Sequence, residues 1–116
     1  MTPNQFNFCV QNAMDFADPD AYVSELALSS IWGDAQDADI PQSRLDNLRE
    51  IYLAVHRSVK DILIDTEQSQ AAFAKKHCIP THTVNTWCFD QTSSSYRTCP
   101  LYVRLLLQRA EGLLTC

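Results

Sequence analysis

Glycine is nearly missing from this chain: two residues in 116, Gly33 and Gly112. Loop-rich and β-rich folds spend glycine at turns and bulges, so its scarcity points away from both. No run of 18 apolar residues occurs, which excludes an obvious membrane-spanning helix. The opening MTPNQFNF carries no basic charge, so no secretory leader is expected there. The five cysteines, Cys9, Cys78, Cys88, Cys99 and Cys116, form no CxxC pair. An odd number at such spacing is expected to be unpaired thiols in a reducing cytoplasm. Zinc ligands come in pairs two to four residues apart, and only Cys78 with His82 fits. No metal is therefore expected. A glycine-rich phosphate loop, HExxH and GxSxG are also missing, so the chain is expected to be no enzyme and to need no cofactor.

Charge is scarce in a more telling way. Residues 1–67 hold 12 acidic and four basic side chains, a net −8; residues 68–116 hold two acidic and five basic, a net +3. A chain of net charge −5 is a poor general ligand for nucleic acid, because phosphate contacts dominate affinity. The asymmetry moderates that exclusion for the second half alone.

What is present is helical patterning. Each of the five prolines, Pro3, Pro19, Pro41, Pro80 and Pro100, stands just before an amphipathic pattern, where its missing N–H costs nothing. An all-α fold of about six helices is expected. The first helix runs from Thr2-Pro3 to about Ala17, and the second opens at Asp18-Pro19 and ends at Gly33. Asp34, Asp37 and Asp39 follow in a solvated loop that lacks the glycine and terminal glutamate of a calcium loop. A long helix from Pro41 to about Ile64 carries the apolar stripe Leu45, Leu48, Ile51, Tyr52, Val55, Val59, Ile62 and Leu63. His56 beside that stripe has no partner at ligand spacing.

The stretch 69–87, SQAAFAKKHCIPTHTVNTW, organises the rest. Counted from Gln70, a small residue falls at position 5 (Ala74) and apolar residues at 10, 15 and 18 (Ile79, Val84, Trp87). Two short helices crossing closely over a shared core need this spacing, as in a helix-turn-helix. Position 9, the turn, favours glycine for its positive φ; here it is Cys78. The final helix runs from Pro100 to about Leu114.

With RTCPLYVRLLLQRA downstream, this stretch resembles small bacterial and phage regulators of the Cro/repressor-type helix-turn-helix superfamily. Their pattern runs SQxxFAxxxGIPxxTVxxWE, then a short link and a YVxxLL helix. Ser69, Gln70, Phe73, Ala74, Ile79, Pro80, Thr83, Val84 and Trp87 match the first part, and Arg97, Thr98, Pro100, Tyr102, Val103 and Leu106 the second. Cys78 in place of Gly, Cys88 in place of an acidic residue, and a longer link at residues 90–99 with three serines depart from it.

The resemblance implies a cytoplasmic, sequence-specific DNA-binding protein, a transcriptional regulator whose partner is double-stranded DNA. Residues 66–116 would form the helix-turn-helix domain and residues 1–65 a helical region serving as core extension or homodimer surface. If Val84 and Trp87 face inward, Thr81, His82, Asn85 and Thr86 face outward and could read base edges. Gln70 and the first N–H groups of its helix could hold a phosphate, and Lys75, Lys76 and Arg97 could meet the backbone. The alternative is a protein-interaction module that keeps the fold without DNA, since the outward face of the second helix carries no Lys or Arg.

Overall fold

A computed structural model of the chain describes residues 1–35 and 38–116; Asp37 of the acidic loop lies outside them. Among the described residues there are seven α-helices, one 3-10 turn and no strand. The fold is all-α, with one helix more than the expected six. The helices are α1 (Pro3–Ala13), α2 (Pro19–Leu26), α3 (Gln42–His56), α4 (Val59–Thr66), α5 (Gln70–Lys76), α6 (Thr81–Cys88) and α7 (Leu101–Ala110), with the 3-10 turn Ser30–Trp32 after α2.

The extra helix comes from the long stripe, which breaks at Arg57-Ser58. Ser58 is extended (φ −75°, ψ 168°), and its hydroxyl accepts from the Asp61 amide while the Asp61 carboxylate accepts from the Ser58 amide. This reciprocal cap is an S-x-x-D signature, and it starts a new helix inside an unbroken apolar pattern. Other ends also fall short. The second pattern stops at Leu26 and resumes only as the 3-10 turn. Ser29 is extended (φ −64°, ψ 146°) and its hydroxyl accepts from the Ile31 amide. The Leu26 carbonyl accepts from both the Ser29 amide at 3.1 Å and the Trp32 indole at 2.8 Å. The first stops at Ala13 rather than Ala17, and the last at Ala110 rather than Leu114.

The chain forms two compact units: Met1–His56 with Leu114–Cys116, and Arg57–Leu113. In the first, α3 packs on both α1 and α2. Its core includes Cys9, Ala13, Tyr22, Leu26, Leu48, Ile51 and Val55, all buried. A ladder of rings runs through it: Phe16 to Tyr22 at 5.6 Å, Tyr22 to Tyr52 at 5.3 Å, and Tyr52 to His56 at 4.2 Å between centroids. The polar tips serve the backbone around the end of α1. Tyr22 Oη donates to the Cys9 carbonyl at 2.8 Å, Tyr52 Oη to the Phe16 carbonyl at 2.9 Å, and His56 Nε2 meets the Ala13 carbonyl at 2.9 Å. Arg44 stacks over the Trp32 ring at 4.7 Å and pairs with Asp34. Leu114 is buried, the Thr115 hydroxyl bonds Glu50 at 2.9 Å, and the Cys116 thiol donates to the Asn47 carbonyl at 3.8 Å.

The second unit has short helices around Val59, Ile62, Leu63, Phe73, Ala74, Val84, Cys99 and Leu107, with Ile79, Trp87, Cys88, Val103 and Leu113 packed against them. Three of its helices end in the same left-handed turn. After α4, Glu67 has φ 55° and Gln68 N–H bonds the Leu63 carbonyl; after α5, Cys78 has φ 55° and Ile79 N–H bonds the Ala74 carbonyl; after α7, Gly112 has φ 77° and Leu113 N–H bonds the Gln108 carbonyl. This is the Schellman arrangement, built twice without glycine. The segment at Arg57 is sewn to α7: Arg57 donates to fully buried Gln108 Oε1 at 2.6 Å, and Arg104 donates to the Arg57 carbonyl at 2.7 Å.

Candidate nucleic-acid interface

The site is built on α5, the turn after it and α6. Ser69 caps α5 by accepting from the Ala72 amide at 3.1 Å. That removes one of the first-turn N–H groups offered to a phosphate beside exposed Gln70. Ala74 is 1% exposed, and its carbonyl receives the Ile79 amide at 2.9 Å, so the chain reverses tightly between the helices. Cys78 at the reversal is exposed. α6 then begins after Pro80, and no side chain caps it. Val84 is fully buried, while Trp87 and Cys88 pack on the same core.

With Val84 inward, residues 82 and 86 take the opposite face by helical geometry. His82 is exposed and Thr86 half-buried, its hydroxyl donating back to the Thr83 carbonyl at 2.7 Å. Thr81 is exposed at the first turn and Asn85 is half-buried on the flank. Lys75 is exposed. Lys76 reaches Glu111 Oε2 at 3.0 Å, and His77 Nε2 meets Glu111 Oε1 at 2.6 Å, with the Glu111 side chain only 5% exposed. Burial pushes that carboxyl up, but hydrogen bonds from His77, Lys76 and Gln68 outweigh burial and hold it below the usual carboxylate range. Lys76 is thus committed within the protein.

The link at residues 90–99 folds back on α6. Asp90 Oδ1 accepts from the Thr92 hydroxyl and amide, bonds that hold its carboxyl below the usual range. The Ser93 amide donates to the Asp90 carbonyl and the Tyr96 amide to the Ser93 carbonyl, at 2.9 and 3.2 Å. The Arg97 amide then donates to the Thr86 carbonyl of α6 at 3.1 Å. The result is an open cleft of about 530 Å³ lined by His82, Thr83, Thr86, Trp87, Phe89, Ser95 and Arg97.

Of the residues expected to meet DNA, His82, Thr86 and Arg97 share this cleft. Thr81 and Asn85 lie on α6 outside its lining, and Gln70, Lys75 and Lys76 belong to α5. Sequence reasoning missed Thr83, Phe89 and Ser95, and it read Trp87 as core alone. The available signal was the link itself, longer than the resembled pattern and rich in serine. All five cysteines are free thiols. Burial raises Cys9 and Cys99 to about 11 and also raises Cys88, which leaves these three poor nucleophiles at neutral pH. Among the described residues no helix is long and apolar enough to cross a membrane. No protein-family model, curated protein or solved structure significantly matches the chain.

Proposed function

We propose that the Arg57–Leu113 unit is a helix-turn-helix module that binds double-stranded DNA, with α6 as the reading helix of a transcriptional regulator. One observation carries the reading: α5 and α6 pack around Ala74, Ile79 and Val84 across a turn whose Cys78 adopts φ 55°, at the positions a helix-turn-helix requires. Two more support it. The uncapped first turn of α6 leaves backbone N–H groups for a phosphate. This unit holds seven basic and five acidic side chains, against two and nine in the other. A homodimer through residues 1–64 would set two copies of α6 about 34 Å apart, one turn of DNA. Exposed Met14, Leu28 and Leu53 supply apolar surface for it, and light scattering showing a 13.2 kDa particle across micromolar to millimolar concentrations would remove the dimer.

The test is an electrophoretic shift assay with DNA from the protein's own locus, titrated with salt. Asn85 presents a donor and an acceptor together, as adenine recognition needs. Asn85→Ala is expected to lose about 1–3 kcal/mol on the preferred site with non-specific binding retained. Lys75→Ala is expected to weaken every duplex alike and flatten the salt dependence. Lys76→Ala should do so less, because Glu111 already holds that charge. Absence of salt-sensitive binding at low ionic strength would overturn the reading. A protein-interaction module would then take its place, a reading favoured by the lack of Lys or Arg on α6.

A further inference from the structure

We infer that the cleft between α6 and the 90–99 link is a binding site for a small flat aromatic ring bearing an anionic group. The inference goes beyond DNA binding and does not rest on it. Its volume of about 530 Å³ falls in the range of small-molecule sites. The chemistry of the walls is one-sided. In a chain of net charge −5, the lining contains Arg97 and His82 and no acidic side chain. Beside them stand two aromatic groups: Trp87, half-buried and anchored on the core, and Phe89, 43% exposed.

Arg97 is held in place before any ligand arrives. Its Nη1 donates to the Ser94 carbonyl at 3.0 Å and to the Tyr96 carbonyl at 2.9 Å. Both bonds use one nitrogen; among the described residues Nε and Nη2 carry no partner. That leaves one edge of the planar fork for two oxygens of a phosphate or carboxylate. Fixing the guanidinium in advance removes part of the ordering cost of binding. Ser95 and Thr83 add hydroxyls, and the flat apolar surfaces of Trp87 and Phe89 suit a ring. Charge and ring are both needed. A bare anion leaves the aromatic wall wet, and a neutral ring leaves the fork unpaired.

Nucleoside monophosphates and aromatic carboxylates share this chemistry, and a titration distinguishes them. Full-length protein, ¹⁵N-labelled, is titrated separately with adenosine 5′-monophosphate, 2-naphthoate, adenosine and inorganic phosphate, following the Trp87 indole N–H and the amides of residues 82–97. Saturable shifts confined to those signals are expected with one or both aromatic anions, while adenosine and phosphate bind at least about tenfold more weakly. Arg97→Lys keeps the charge and loses the fork, and should weaken binding about tenfold or more. Because Arg97 also ties down the link, His82→Ala serves as the second variant: its exposed side chain can be removed with the free spectrum retained, and affinity should fall several-fold. Three results would overturn the inference: no shifts up to about 10 mM of either anion, shifts that map elsewhere, or affinity unchanged in both variants. Because His82 and Arg97 also belong to the candidate DNA interface, the DNA reading is judged separately, by gel shift of the unaltered protein.

Discussion

The two units solve the problem of a small core in different ways. Met1–His56 with Leu114–Cys116 buries aromatic rings and satisfies their polar tips on backbone carbonyls around the end of α1. Arg57–Leu113 buries aliphatic side chains and a single fully buried ring, Phe73, and holds short helices by repeated left-handed end turns. The first is strongly acidic and turns the polar tips of Tyr22, Tyr52 and His56 onto its own backbone; the second is mildly basic and keeps Arg97 and His82 at an open cleft. The difference teaches that one demand, a closed small core, has two local answers. The first unit bonds ring tips to backbone; the second uses left-handed end turns together with the contacts of Arg57 with Gln108 and of His77 with Glu111.

Removing Phe73 should break the comparison hardest. Phe73 is 0% exposed and also stacks on His77 at 4.5 Å. Phe73→Ala is expected to cost about 3–5 kcal/mol, and hydrogen exchange should show protection lost across residues 57–113 before residues 1–56. Equal loss in both would mean that the units unfold as one.

Glu111 comes next. Its carboxyl lies below the unfolded value, so its contribution is present above about pH 4.3 and is lost as pH falls through the lower folded value. Denaturant melts from pH 7 downward should show the Arg57–Leu113 unit losing this increment in acid. Glu111→Gln should cost about 2 kcal/mol at pH 7 and flatten that part of the profile. In the acidic unit, Tyr22→Phe removes one hydroxyl whose target carbonyl lies in α1, and about 1 kcal/mol is expected by urea denaturation. The smallest effect has the opposite sign. Cys78 is exposed and its φ of 55° is costly for any side chain. Cys78→Gly should stabilise by about 0.5 kcal/mol, net of the extra freedom glycine gains when unfolded, seen as a higher urea midpoint at constant slope.

The sequence disclosed helix starts far better than helix ends. All five prolines fall at or just before helix starts, at Pro3, Pro19, Pro41, Pro80 and Pro100, because a fixed φ and a missing donor leave few other places. Apolar periodicity overstates helix ends, because it continues through residues that pack without being helical. Phe16 and Leu113 are two such residues, and Trp32 sits in a separate 3-10 turn. The Ser58 cap was legible as S-x-x-D and was masked by the unbroken stripe around it. In the candidate site, the outward direction of His82 and Thr86 followed from periodicity. The cleft did not: it depends on where residues 90–99 turn back, and that is decided by the Asp90–Thr92 bonds and by the Arg97 amide meeting Thr86.

The return of residues 114–116 to the first unit has a consequence for synthesis. Domains ordinarily fold in the order in which the ribosome delivers them, N-terminal first. Here Leu114, which is buried, and the Thr115 and Cys116 contacts with α3 emerge only after every residue of Arg57–Leu113. The unit that begins first is therefore completed last, and the unit between its two pieces has the chance to fold while its host is still unfinished.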